Sequence, residues 1–547
     1  MNESAVHPII YVRGYAMTPS EIEDAVADPY MGFNIGSCKV RQLWDGSAKK
    51  YFFESPLVRL LKRFRYDDVF EEGYDRVSDL TAPSTADGTI PPVPYRSIVI
   101  YRYYEPSSED IGTAVRPDMK RFAQGLGELI LKLRERIYPN GKDTVITPEE
   151  REAGKRPYDR FRVYLVAHSM GGLVCRAFLQ NDQFGSAEAR GLVDKVFTYA
   201  TPHNGIDIGV LGNIPKWLSL YGMNTFNREE LAELLALKSA AQDKDGVDLL
   251  TNIDASRVFN LVGTNPGDYK VAAGLSSAAV GDASDGLVRI KNATTRQRTD
   301  TGFLQSPNAF VHRSHSGFFG IVNSEEGYQN LVRFLYGDVR ADGVLEIDEL
   351  TLPPAVQDKL DEGREVKASY LFEVAVSVRG KPWQLHRRTA NENSAIFRQF
   401  DELFVKAEKP KRGQRKWAPN PAASPLLFNV FLDTAQSQTG SSVSFGLDLC
   451  VRVPEYQVDG LLFLKDHYEG GYLYRDNVIL EATPPTKDSN WVFEYSTASQ
   501  RKRGRQPAKI VRDDADERTF EIPIVQPEPP GIRARLRVRT SYWNTWQ

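Results

Sequence analysis

Cysteine is almost missing from this chain. Three residues in 547 (Cys38, Cys175 and Cys450) are too few and too scattered for a disulfide framework or a zinc cluster. They fit a reducing compartment. Long apolar runs are also missing. No uninterrupted stretch reaches the roughly 18 residues that a membrane-spanning helix needs, and the mean hydropathy is -0.41. Neither sign of charge dominates. With 69 Lys and Arg against 72 Asp and Glu, and a net charge of -3, nothing global calls for nucleic acid as a partner. The opening MNESAVHPIIYVRGYAM has neither the basic start nor the apolar stretch of about 7–15 residues that a secretory signal carries. A cytoplasmic location is therefore expected, although leaderless export would leave no trace. Histidine is scarce too, at seven residues, so the position of each one is informative.

What is present is an alternation. Up to about residue 340, short apolar runs (Pro8–Val12, Ser97–Tyr101, Phe161–Ala167, Lys195–Ala200, Val258–Val262) are separated by stretches at helical spacing. Runs of this kind read as parallel strands buried on both faces. Phe122–Ile137 repeats apolar residues every three to four positions and ends in basic residues, as suits a helix C-terminus. Gly327–Tyr336 reads as a closing helix. The pattern predicts an α/β domain over residues 1–340 with a doubly wound, mostly parallel sheet. An apolar insertion at about 205–252 contains Trp217, Leu218, Leu220 and the run NREELAELLALK, where Asn227 and Glu230 resemble a capping box. The acidic, Pro-containing stretch that follows is read as a linker over 341–364. Beyond it, strand-like segments at Tyr370–Val378, Pro425–Phe431, Val443–Val451 and Tyr472–Leu480 predict an all-β, sandwich-like accessory domain over 365–547. Near the end, Ile532, Ala534, Leu536 and Val538 alternate with Arg533, Arg535, Arg537 and Arg539, so period two segregates apolar side chains from guanidiniums.

The chemistry concentrates at Phe161–Arg176, where a strand pattern ends at Ala167-His168, Ser169 follows, and two glycines open a helical pattern. A nucleophilic serine needs this strand–elbow–helix context. The bend is so tight that residues two before and two after the serine must be small, and Ala167 and Gly171 meet that demand. Unpaired N–H groups at the helix start can then receive a developing oxyanion. In an α/β-hydrolase the acid and then the histidine follow the serine along the chain. Asp285, before Gly286 in GDASDGLV, is the favoured acid, with Asp282 its rival. His315 is the favoured base, with His312 its rival. His7 precedes the first strand, His386 and His467 lie in the second domain, and His203 precedes every candidate acid. His168 sits beside the nucleophile, where backbone or packing is its expected role. The expected oxyanion donors are the N–H groups of Met170 and of Tyr15, in the turn after the first strand.

These pieces carry a resemblance. IIYVRGYA, VYLVAHSMGGLVCRAF, YATPHNG, RVFNLVGT, SDGLV and the His315 segment are similar to the lipase/esterase branch of the α/β-hydrolases. That branch holds bacterial triacylglycerol lipases, lecithin–cholesterol acyltransferase-like enzymes and glycosylphosphatidylinositol inositol-deacylases. The chain departs from it where Arg13-Gly14 stands in place of His-Gly and Ala167 in place of the first glycine of G-x-S-x-G. The resemblance implies hydrolysis of a carboxylic ester, of an acyl lipid or a small molecule; no nearby acidic pair marks a calcium site, so neither metal nor cofactor is expected. The alternatives are a phospholipase, exported to act on a neighbour's membrane, an acyltransferase, or an inactive hydrolase fold that serves as a binding module. The insertion lies where such enzymes carry a lid, and Trp217, Leu218, Leu220, Leu231, Leu234 and Leu235 would then line an acyl groove; a packed helical cap is the plain reading. Basic runs in the second domain would suit an anionic membrane surface, or else form a solvated face balanced by the acidic run DDADE.

Overall fold

In the computed structural model the chain divides into two compact units, Met1–Asn308 with His312–Tyr336, and Ala309–Val311 with Gly337–Gln547. The structure describes residues 6–14, 23, 28, 30–42, 47–71, 74–77, 93–105, 118–206, 228–237, 246–266, 283–317, 320–406, 417–436, 442–459, 465–483, 492–514 and 517–544. Among them no helix is long and apolar enough to cross a membrane.

The first unit is built on strands β1 (Ile9–Val12), β2 (Asp67–Asp68), β3 (Ser97–Ile100), β4 (Val163–His168), β5 (Val193–Tyr199), β6 (Val258–Gly263) and the first residue of β7 (Asn308–Val311). They form one seven-stranded sheet in the order β7-β6-β5-β4-β1-β3-β2. The pairings of β1 with β3 and β4, β4 with β5, β5 with β6, and β2 with β3 are parallel. Parallel neighbours need crossover connections. Here they include α1 (Met119–Ile137), α2 (Met170–Gln180) and α3 (Arg228–Leu234), while α4 (Glu325–Tyr336) follows the last strand of the sheet. The β1 and β3 side chains are all buried, as are all eleven residues of α2. This is why their sequences read as unbroken apolar runs rather than as alternations. The strand order reverses about β1: the chain leaves it for β2 and β3 on one side and returns for β4, β5 and β6 on the other. In open α/β sheets ligands bind outside the carboxyl ends of the strands near such a reversal.

The second unit is antiparallel. Strands β8 (Val339–Thr351), β9 (Val366–Val378), β10 (Leu426–Leu432), β11 (Val443–Asp459), β12 (Lys465–Thr483), β13 (Lys509–Asp513), β14 (Glu517–Gln526) and β15 (Gly531–Tyr542) carry most of it. One sheet has the order β10-β8-β15-β14-β13, and a seven-stranded sheet contains β9, β11 and β12 as its long members. Side chains from both sheets, among them Phe372, Phe428, Leu447, Leu480 and Leu536, share one core.

The linker expected over 341–364 is corrected here. Asp342, Glu346, Asp348 and Glu349 belong to β8, and a helix, α5 (Pro354–Asp361), follows with Asp358 and Asp361. β8 lies between β10 and β15, and its acids alternate because one of its faces is charged. Ile532, Ala534, Leu536 and Val538 are buried, while the arginines between them meet carboxylates on both neighbouring strands. Arg535 pairs with Asp348, Glu346 and Glu521, Arg537 with Glu346 and Glu521, and Arg539 with Asp342 and Glu517. The Arg stripe that suggested an anionic membrane is thus neutralised within its own sheet. Of the other basic runs, residues 407–416 lie outside the described residues. Arg505 meets Glu481 and Glu494.

Glu521 is the hub of this ladder. Burial raises its pKa, but hydrogen bonding from Arg537 and the charges of Arg537, Arg535 and Lys509 outweigh that, and the net shift is downward. Replacing Glu521 by Ala removes one carboxylate from two partly exposed guanidiniums that keep other partners. The expected cost is about 1–3 kcal/mol, read as a lower urea midpoint for the second unit's transition at an unchanged slope.

Candidate active site

The turn from β4 into α2 sets the geometry. Ser169 has φ 53° and ψ -125°, a backbone conformation that costs a non-glycine residue on the order of 1–3 kcal/mol. Its N–H donates to the Tyr199 carbonyl at 2.9 Å, which extends the β4–β5 pairing up to the bend. Close packing makes Gly171 obligatory: a β-carbon there would lie 2.3 Å from the Val12 carbonyl oxygen and 2.6 Å from that of Arg13. Met170 opens the helix, so its N–H is one of those that have no partner within the helix.

Three side chains meet at this bend. His315 Nε2 lies 2.9 Å from Ser169 Oγ, and His315 Nδ1 lies 3.0 Å from Asp285 Oδ2. Each is nearly sealed from solvent, with Ser169 at 7%, His315 at 2% and Asp285 at 1% exposure. Asp285 is oriented by the turn that carries it. Its Oδ1 accepts the N–H groups of Leu287 and Val288, at 3.0 and 2.8 Å. Its carbonyl receives the His315 N–H at 2.9 Å. Residues 146 apart in the chain are thus brought into one hydrogen-bonded line. The rivals are elsewhere: His312 is exposed and Asp282 lies outside the described residues.

The expected oxyanion donor Tyr15 also lies outside the described residues, but the chain leading to it does not. Tyr103 Oη donates to the Arg13 carbonyl at 2.6 Å and Tyr104 Oη to the Gly14 carbonyl at 3.0 Å. Arg13, which stands in place of the usual histidine, turns its guanidinium to the Met31 carbonyl at 2.5 Å. No motif flags the two tyrosines. Their only sequence signal is an aromatic cluster, YRYY, just after the β3 run.

A third unflagged residue is Arg176, on α2. Its Nη1 donates to the His203 carbonyl, and its Nη2 to those of Val247 and Leu249, at 2.8 to 3.0 Å. Burial lowers its pKa to about 9, against the raising influence of Asp248. The guanidinium thereby ties together both ends of the insertion. Within that insertion Leu231, Leu234 and Leu235 are buried, and Asn181 Nδ2 caps the Leu234 carbonyl at 3.0 Å. The α3 part is therefore packed against the unit. Trp217, Leu218, Leu220 and Asn227 lie outside the described residues. Among the described residues no group of three or more His, Cys, Asp or Glu could hold a metal.

No family model matches the chain, and no curated protein does. Bacterial lipases are among its neighbours in solved structures. The mature form of the Bacillus licheniformis lipase BlEst2 is 16% identical, with 61% of this chain and 93% of that chain covered and a TM-score of 0.29. The propeptide form of the same lipase is 11% identical, with 90% and 96% covered and a TM-score of 0.29. Lipase 1 from Pelosinus fermentans is 12% identical, with 61% and 99% covered and a TM-score of 0.24. At these scores the likenesses carry nothing about the chemistry.

Two buried histidines near the sheet stay neutral. Burial, the largest cause, lowers the pKa of His7 to about 3 and puts that of His203 well below 6.5. Their folded pKa values lie below the unfolded one, so their contribution to stability is complete above about pH 6.5 and declines as the pH falls from there toward 3. The expected result is a melting temperature that drops across this window with net proton uptake on unfolding. Calorimetry in buffers of different ionisation enthalpy reads that uptake, and replacing His7 by Phe should remove up to one proton from it.

Proposed function

We propose that this chain is a serine-dependent carboxylic ester hydrolase of the lipase/esterase kind. The observation that carries the reading is the hydrogen-bonded line Ser169–His315–Asp285 at a strained strand-to-helix bend. In this reading Ser169 Oγ attacks the ester carbonyl carbon while His315 Nε2 removes its proton. Asp285 keeps the proton of the neutral imidazole on Nδ1 and stabilises the imidazolium that forms. The negative charge on the carbonyl oxygen falls to the Met170 N–H at the start of α2 and to the Tyr15 N–H after β1, and one such donor is worth roughly 2.7–4 kcal/mol in the transition state. His315 then returns its proton to the leaving alkoxide, which leaves acyl-Ser169. Water, activated by the same imidazole, hydrolyses that intermediate. The substrate proposed is an acyl lipid or another ester with an apolar acyl chain.

The test begins with a fluorophosphonate probe, which should label the wild type at Ser169. Ser169→Ala should lose labelling and about a million-fold in kcat; retained turnover in that variant defeats the mechanism. A p-nitrophenyl series from acetate to palmitate, with one phospholipid alongside, reads the acyl preference. Turnover confined to acetate would remove the acyl-lipid part of the proposal and leave the esterase part standing.

A further inference from the structure

The main chain of His315 is held on both sides. Its N–H donates to the Asp285 carbonyl at 2.9 Å, and its own carbonyl lies 2.9 Å from Nε2 of His168. A carbonyl oxygen can only accept, so His168 carries its proton on Nε2 and leaves Nδ1 bare. The bare edge faces the loop after β1: a β-carbon on Gly14 would lie 3.0 Å from His168 Nδ1 and 2.8 Å from Ser169 Cβ. The His168 and His315 rings lie 5.0 Å apart, tilted by 43°. His168 thus fills the space between the Gly14 loop and the His315 loop. Its own backbone is fixed as the last residue of β4, in register with Tyr199 of β5.

We propose that His168 is a positioning residue: its Nε2–H transfers the rigidity of the sheet to the loop of His315, and so keeps the His315 imidazole within hydrogen-bond reach of Ser169 Oγ. The inference rests on the esterase reading of the site. Its physical need follows from where the three partners stand. Ser169 and His168 are anchored to the sheet, whereas His315 lies beyond the end of β7, on a loop where the neighbouring Arg313 and Ser314 carbonyls accept the N–H groups of Asn265 and Ile321 and His168 adds a hold on the carbonyl of His315 itself. A misplacement of about 1 Å at such a site can cost on the order of a hundredfold in rate. His168 also suits its place by staying uncharged. Burial first, and the His315 ring next, lower its pKa to about 3, so it places no second positive charge beside the imidazolium.

Three variants separate positioning from packing. Gln at 168 places an amide N–H near the position of Nε2, Asn is too short to reach, and Phe keeps the ring without a donor. His168→Gln should stay within about threefold of wild-type kcat, whereas His168→Asn and His168→Phe should lose on the order of tenfold to a hundredfold in kcat with KM little changed. The rate of fluorophosphonate labelling should fall in parallel. The His315 imidazole 15N signals, resolvable among seven histidines in 15N-His protein, should shift in Asn and Phe and stay near wild type in Gln. Wild-type kcat in His168→Phe, equal impairment of Gln and Phe, or unmoved His315 signals would each overturn the proposal. A wild type that the probe does not label defeats the esterase reading instead, and the 15N signals still decide what His168 holds. Should the Phe variant fail to fold, the comparison of Gln with Asn decides alone.

Discussion

Ser169 is held in a backbone conformation that a side chain resists, and the surrounding structure exists to tolerate it. The strain sits between the last residue of β4 and the first of α2, where the strand pairing and the helix each fix one side of the bend. Relaxing the bend would pull the serine N–H from the Tyr199 carbonyl and break up the wholly buried α2. The crowding around Gly171, with Val12 and Arg13 carbonyls against its Cα, shows how little space remains. What results is a hydroxyl presented at the carboxyl ends of the parallel strands, beside a helix start that favours negative charge.

Around that bend, rigidity is transferred from sheet to loop by hydrogen bonds to main-chain carbonyls. Tyr103 and Tyr104 hold those of Arg13 and Gly14, His168 that of His315, and Arg176 those of His203, Val247 and Leu249. Each donor side chain stands at or near the end of a strand, or on α2. Loops that carry polar chemistry would otherwise be the loosest parts of the fold. Buried carbonyls left without donors would cost free energy as well, so the same bonds satisfy polar groups and hold the loops around Ser169.

The second unit applies the same economy to charge. Four arginines on one face of β15 would repel one another in isolation. Flanked by β8 and β14, they meet Asp342, Glu346, Asp348, Glu349, Glu517 and Glu521 instead. With the guanidiniums half-exposed, such pairs are worth little one at a time. Their main consequence is register, because a slip by one residue would carry the arginines to the core face.

Buried strands and the elbow were legible in the sequence because their signals are local. Unbroken apolar runs, period two in Ile532–Val538, and small residues flanking Ser169 each report on their immediate neighbours. The scarcity of histidine narrowed the base to two candidates, and only the fold separates them: His315 turns inward beside Ser169, while His312 is exposed. The stretch at 341–364 read as a linker because the partners of its first acids, Arg535, Arg537 and Arg539, lie nearly two hundred residues away. Composition cannot tell a solvated carboxylate from one paired across a sheet. The tyrosines behind Gly14, the Arg176 clamp and the His168 contact were illegible for the same reason. The sequence by itself determined which elements form and which serine is bent into view. The tertiary structure alone decided which distant groups face each other, since hydrogen bonds and ion pairs depend on proximity in space, and local sequence carries no record of it.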